Sequence, residues 1–179
     1  MADLEYFIDK DFSNINFAKD GFTPGEYENC KFEKCTFPKV KLSESVFINC
    51  EFISCDLTTS NISAAVFRDV KFNNCNLTGL QFDGCNQLLL SFEFTGCQLN
   101  RSSFFGMKLH KIEFTKCEMV EVDFGRAAHH LMTVIYTMQY LIILIYPNVI
   151  SAKLLIIQSI PRIIKSQKLN FLLWEYQDY

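Results

Sequence analysis

The chain has 179 residues, 49 % of them apolar, and a formal net charge of −3. That content suffices for one domain with a sizeable core and excludes a disordered charged tail as the main feature. So mild a charge selects no class of partner.

Usage is biased, with 18 Phe against one Trp and seven Gly, which points to one structural slot filled repeatedly by one residue type. At the start, Met1 to Lys10 carries Asp3, Glu5 and Asp9 and no apolar run longer than Tyr6 to Ile8. Neither a secretory signal nor a transit peptide is expected, and the expected location is cytoplasmic. In a reducing compartment the eight Cys are expected as free thiols serving as small buried apolar groups.

From Phe7 onward every fifth residue is large and apolar: Phe7, Phe12, Phe17, Phe22, Tyr27, Phe32, Phe37, Leu42, Phe47, Phe52, Leu57, Ile62, Phe67, Phe72, Leu77 and Phe82. Chance produces such a run about once in a hundred thousand, so the pattern outweighs local propensity. A second run in a shifted phase is read as Leu89, Phe94, Leu99, Phe104, Leu109, Phe114, Met119 and Phe124, with the slip between Cys85 and Leu89.

A period of five fits neither a helix nor a strand, so the chain must turn a corner every five residues. Four such sides close a square coil, and residues twenty apart stack about 4.8 Å above one another. Phe12, Phe32, Phe52 and Phe72 then form one column, and Phe7, Tyr27, Phe47 and Phe67 another. Cys30, Cys35, Cys50, Cys55, Cys75, Cys97 and Cys117 all lie two positions before a large centre, with Cys35, Cys55 and Cys75 in one column. Only Cys85 differs, because it precedes Gln87. The interior of each side is therefore expected to hold one large and one small side chain, with the other three positions facing water.

The strings NCEFI, SCDLT and NCNLT resemble the pentapeptide-repeat family, whose consensus is a small residue, Asp or Asn, Leu or Phe, then two variable polar residues. The resemblance covers Phe7 to Phe124. It departs from the family in using Phe at most centres, Cys at many small slots, and Glu5, Lys10, Ile15, Asp20 and Gly25 at the first five slots. It implies an all-β fold, a right-handed quadrilateral β-helix of about six coils over residues 1–127. Similarity to the quinolone-resistance (Qnr-type) branch further implies a non-catalytic protein that binds DNA gyrase or topoisomerase IV as a DNA mimic and lowers quinolone sensitivity. It also implies no direct contact with nucleic acid and a dimer formed through the C-terminal cap. A general protein-interaction scaffold is the alternative.

Acidic residues number 18 and basic residues 13 over Met1 to Ala127. Acids gathered on one flat side would favour DNA mimicry; an even scatter would favour the scaffold. The interruption at Asn86, Gln87, Leu88, Leu89 and Leu90 is a candidate interaction loop, since contacts on regular scaffolds concentrate at such breaks. A bulge that re-registers the coils is the competing reading.

No catalytic, cofactor-binding or metal site is expected. The Cys columns lack paired Cys-x-x-Cys spacing, and His110, His129 and His130 have no placed partner. His110 follows the centre Leu109 and is expected to face outward.

After Phe124 the composition turns to Leu, Ile and Tyr with few acids. Leu131 to Tyr146 is free of charge but shorter than the roughly 20 residues a membrane span needs; a genuine tail of this kind would make a membrane-tethered repeat protein. Shifted by two bases, the codons of residues 131–136 can encode FNDCDL, close to FNNCNL at residues 72–77. Residues 128–179 are accordingly read as out-of-frame translation of further repeats and the C-terminal cap.

Overall fold

The computed structural model describes residues 5–109, 112–127 and 134–135. Its unit is the five-residue side. Within each side beyond the first coil the centre and the slot two residues earlier point inward, and the residue just before the slot turns the corner. Most corner residues adopt the left-handed conformation: Asp9 (φ 52°), Asn29 (52°), Lys34 (52°), Glu44 (65°), Asn49 (52°), Thr59 (64°) and Asn74 (53°) are examples, and Gly79 (76°) and Gly106 (67°) take the same place. Asn, Asp and Gly enter this region at little steric expense, whereas each Lys, Glu or Thr there costs roughly 1–2 kcal/mol. The corners are tolerated because the packed interior over-determines them.

Four corners per turn yield two strand-bearing sides. The first carries β1 (Glu5–Ile8), β3 (Gly25–Glu28), β5 (Val46–Ile48) and β7 (Val66–Arg68). The second carries β2 (Asp11–Ser13), β4 (Lys31–Glu33), β6 (Glu51–Ile53), β8 (Val70–Asn73), β9 (Phe92–Thr95), β10 (Ile112–Thr115) and β11 (Val134–Ile135). All pairings are parallel, in the order β1-β3-β5-β7 and β11-β10-β9-β8-β6-β4-β2. The third and fourth sides are held by isolated parallel bridges such as Asn16↔Thr36, Thr36↔Asp56, Lys41↔Asn61 and Ser103↔Asp123. The architecture is a right-handed quadrilateral β-helix, the hand that parallel crossovers take. Among the described residues helix is confined to one turn, α1 (Phe17–Asp20), capped by the Asn16 side chain accepting from the Ala18 N–H, and a 3-10 turn at Phe82–Gly84.

The aromatic columns are as the period of five requires. Phe12, Phe32, Phe52, Phe72, Phe94 and Phe114 stack with ring centroids 4.8, 4.6, 5.0, 5.3 and 5.2 Å apart and planes within 16°. Neighbouring sides meet edge to face, as Phe32 does with Phe37 (6.0 Å, 63°) and Phe47 (6.2 Å, 72°). Both geometries are favoured by the ring quadrupole, at about 0.5–1.5 kcal/mol per pair beyond area burial. Phe32, Phe52 and Phe72 are fully buried; Phe12, in the first coil, is half-buried.

One sequence expectation is corrected. Leu89 was to restart the period, but it is 62 % exposed, with φ 59°, and Phe94 is the first centre after the slip. Asn86 still pairs with Val66, so the next inward position falls on polar Gln87, which stays outside. The chain loops out and rejoins the coil at Ser91, whose N–H donates to the Phe67 carbonyl (3.2 Å). The vacancy above Phe67 is filled from the adjoining side by Phe92, which occupies a small slot opposite Val70 and brings its ring 5.3 Å from that of Phe67. Leu90 is buried as well, so it belongs to the core and not to the exposed loop.

Candidate interaction surface

The small slots decide whether any thiol is available for chemistry. Each Cys donates its S–H to the carbonyl of a centre one coil below: Cys30 to Phe7 (3.2 Å), Cys50 to Tyr27 (3.2 Å), Cys35 to Phe12 (3.4 Å), Cys55 to Phe32 (3.3 Å), Cys75 to Phe52 (3.3 Å), Cys97 to Phe72 (3.2 Å), Cys85 to Ile62 (3.4 Å) and Cys117 to Phe94 (3.5 Å). Ser60 does the same for Phe37 at 2.7 Å. The slot thus fills a corner and satisfies an interior carbonyl that the strand ladder leaves over.

All eight Cys are free. Burial pushes Cys50 and Cys85 up to about 12 and raises Cys30 and Cys35; hydrogen bonding to Cys55 and Cys97, then burial, raises Cys75. The thiols raised in this way are hydrogen-bond donors at neutral pH, the opposite of an activated nucleophile; in the same stack hydrogen bonding to Cys117 and Cys75 lowers Cys97, and hydrogen bonding to Cys75 lowers Cys55. Cys85, the exception in the sequence pattern, sits in an ordinary slot and is equally buried. Among the described residues no group of three or more His, Cys, Asp or Glu is placed to hold a metal ion. His110, His129 and His130 lie outside the described residues, as does the tail at 136–179 with the readings attached to it.

The interruption is where the surface departs from the repeat. Both ends of the loop are tied to the coil below: the Asn86 N–H donates to the carbonyl of Ala65, just before β7 (2.9 Å), and the Ser91 N–H to Phe67. Within it, the Asn86 side chain accepts from the Leu88 N–H (2.9 Å), which fixes the turn. Leu88 and Leu89 are left 67 % and 62 % exposed. Gln87 is exposed beside them.

Charge is dispersed. Glu5, Asp9, Glu26, Glu28 and Asp69 lie on the first side with Arg68; Asp11, Glu33, Glu51, Glu93 and Glu113 on the second with Lys31, Lys34, Lys71 and Lys116; Asp56, Glu118 and Glu121 on the third with Lys39 and Arg101; Glu44, Asp83 and Asp123 on the fourth with Lys41 and Arg126, so acids occur on all four sides and are densest on the first two. Several pair locally, as Lys71 does with Glu93 (3.1 Å) and Arg101 with Glu121 (2.8 Å). These pairs are at least half exposed and each contributes little to stability.

The outward positions of the first side differ from the rest in the middle coils. There β5 and β7 present Val46, Ile48 and Val66, whereas the matching levels present Glu51, Ile53, Lys71 and Asn73 on the second side, Asp56, Thr58, Asn76 and Thr78 on the third, and Lys41, Ser43, Asn61 and Ser63 on the fourth. Sequence reading missed this, having treated outward positions as generically polar; the β-branched residues Val46 and Ile48 flanking Phe47 and Val66 preceding Phe67 were the available signal.

Comparison with known proteins bears on the repeat itself. A model described as pentapeptide repeat region matches residues 49–124, and one described as pentapeptide repeats (8 copies) matches residues 28–63. No curated protein matches the chain. Among solved structures, a trypsin-treated form of QnrB1, a plasmid-mediated fluoroquinolone resistance protein, aligns at 18 % identity over 69 % of this chain and 67 % of that one, with a TM-score of 0.40. The full-length QnrB1 aligns at 19 % identity over 66 % and 70 %, TM-score 0.35. Rfr23, a pentapeptide repeat protein from the cyanobacterium Cyanothece 51142, aligns at 10 % identity over 74 % and 91 %, TM-score 0.34. Because the two repeat models together fall on residues 28–124, where large residues recur at five-residue steps on either side of the break after Cys85 and most corners are left-handed, the chain is a pentapeptide-repeat protein.

Proposed function

We propose that this protein is a non-catalytic binding scaffold that engages a protein partner through the side bearing the Asn86–Leu89 loop. The observation that carries the reading is the exposure of Leu88 and Leu89 on a loop whose two ends are hydrogen-bonded to the rigid coil. Exposed apolar groups held on a pre-organised backbone bind with less ordering entropy to lose.

The topoisomerase reading names a specific partner within this class, and DNA gyrase and topoisomerase IV are the partners to try first. Mimicry of duplex DNA needs a dense, one-signed charge along a side; the dispersal of acids over four sides, with bases interleaved, supports the scaffold in preference to the mimic. The test is a gyrase supercoiling assay with and without a quinolone, alongside direct binding by the wild-type chain and Leu88→Ser/Leu89→Ser. Protection that the double substitution removes would assign the topoisomerase as partner. Binding that survives the double substitution would refute the loop.

The out-of-frame reading of residues 128–179 is part of the same proposal. Sequencing the gene tests it: codons that fail to encode FNDCDL in the shifted frame end it.

A further inference from the structure

We propose that the first side of the coil docks an amphipathic helix of a protein partner, laid along the coil axis, with a carboxylate on Arg68 and a cation over Glu28. The inference deepens the scaffold reading, on which it rests, by naming the chemistry of the partner.

The surface is built from Val46, Ile48 and Val66, and the loop carrying the exposed Leu88 begins at Asn86, which pairs with Val66. β5 is hydrogen-bonded on both edges, to β3 and β7, so a partner cannot add a strand there and must bind through side chains. Arg68 supplies the polar anchor. The residue is half-buried, and no ion pair engages its guanidinium among the described residues. A carboxylate is the acceptor that a guanidinium best matches.

At the other end of the apolar strip stands Glu28, which pairs in register with Ile48, as Ile48 does with Arg68. Two strand steps of about 4.8 Å separate the two charges by about 10 Å. A helix rises about 1.5 Å per residue, so residues seven apart on one face span that distance, with the positions three and four along facing the strip. The complement is therefore a helix with an acid and a base seven residues apart on an apolar stripe. The acids beside the strip disfavour an anionic lipid surface as the occupant.

The probe is a synthetic amphipathic peptide of alternating Leu and Ala on one face, with Glu and Lys seven positions apart at its edge, and a control in which that Glu is Lys. Titrated into the full chain, the Glu/Lys peptide should bind at least tenfold tighter than the Lys/Lys control. Arg68→Glu should reverse that preference, and Val66→Lys should weaken both, with circular dichroism unchanged because both side chains face outward. Equal affinity for the two peptides, no binding of either, or binding untouched by Arg68→Glu and Val66→Lys would overturn the inference. Preferential binding to vesicles of mixed zwitterionic and anionic lipid would overturn it too. If Leu88→Ser/Leu89→Ser abolishes binding to a partner protein while Val66→Lys and Arg68→Glu do not, the loop reading stands and the helix site fails.

Discussion

The first coil and the middle coils place the same kind of ring at the same interior positions, yet they differ in almost everything around those rings. Phe7, Phe12 and Phe22 are half-buried where Phe47, Phe52 and Phe67 are fully enclosed. The slots differ more: Glu5, Lys10, Ile15 and Asp20 in the first coil stand where Ser45, Cys50, Cys55 and Ser60 stand two coils later. Centres alone thus set the column, since Phe7 stacks on Tyr27 at 4.5 Å and Phe12 on Phe32 at 4.8 Å despite charged slots beside them. Slots decide whether a coil is interior or terminal.

The largest effect that sharpens this contrast is expected from removing a ring in the middle. Phe52 stacks on Phe32 (4.6 Å) and Phe72 (5.0 Å) and meets Phe37 and Phe47 edge to face. Phe52→Ala should destabilise by about 3–5 kcal/mol, the range for a buried aromatic, through lost transfer energy and the cavity left behind. Phe12→Ala in the half-buried coil should cost clearly less, because its site already borders solvent. Urea denaturation of the two variants measures the difference; equal losses would erase the distinction between coils.

Next comes the joint between the two regions. An added Cβ at Gly25 would collide with the Glu5 carbonyl oxygen, and the β1–β3 pairing places Glu5 directly opposite. Gly25→Ala should therefore push β1 away from β3 at a cost of about 1–3 kcal/mol, in the range for a strained or overpacked site. Amide exchange should accelerate at Glu5–Ile8 and stay unchanged at Glu51–Ile53. Uniform acceleration would show instead that the first coil folds as one unit with the rest.

The period of five, the columns and the inward thiols were legible in the sequence because stacking forces like residues to recur at fixed intervals, and twenty-residue spacing carries that through to Phe72. The corners were not. Left-handed positions hold Asn and Asp but also Lys34, Glu44, Thr59, Ala64 and Arg126, so no residue type marks them. The restart after the loop was misplaced because three consecutive leucines offer three equally apolar centres, and only the registration of Asn86 with Val66 and the reach of Phe92 decide among them. The loop was located by its break in period, while the apolar strip beside it needed the register of β5 against β7 to become visible.

The thiols allow a smaller, graded test. Cys50 and Cys85 are raised by burial from 9.0 to about 12, so the folded state holds their protons to higher pH than the unfolded chain. Their contribution is complete below pH 9 and is lost as the pH climbs from 9 toward 12, with a slope of about 1.4 kcal/mol per pH unit for each such thiol. Stability measured by denaturant titration should be insensitive to these groups between pH 7 and 8 and fall steadily above 9. Cys50→Ser, which keeps a donor in the slot as Ser60 does, should flatten the fall. A slope unchanged in that variant would assign the alkaline loss to other groups.

The smallest change in stability, and the one that bears most directly on the ends, concerns the charged slots. The exposed edge of a stacked coil invites a second copy to continue the columns, and inward-pointing charge is a known protection against such pairing. Glu5, Lys10 and Asp20 are exposed in the first coil, at slots that are buried in the next one, where Gly25, Cys30 and Val40 stand. Replacing all three with Ala should shift stability by no more than about 0.5 kcal/mol, as for surface substitutions, while exposing a continuous apolar end over Phe7, Phe12 and Phe22. Sedimentation velocity should then show concentration-dependent association that the wild-type chain lacks at the same concentration. If the triple variant sediments as the wild type does, the charged slots are tolerated there for want of burial, and protection of the end falls to another part of the chain.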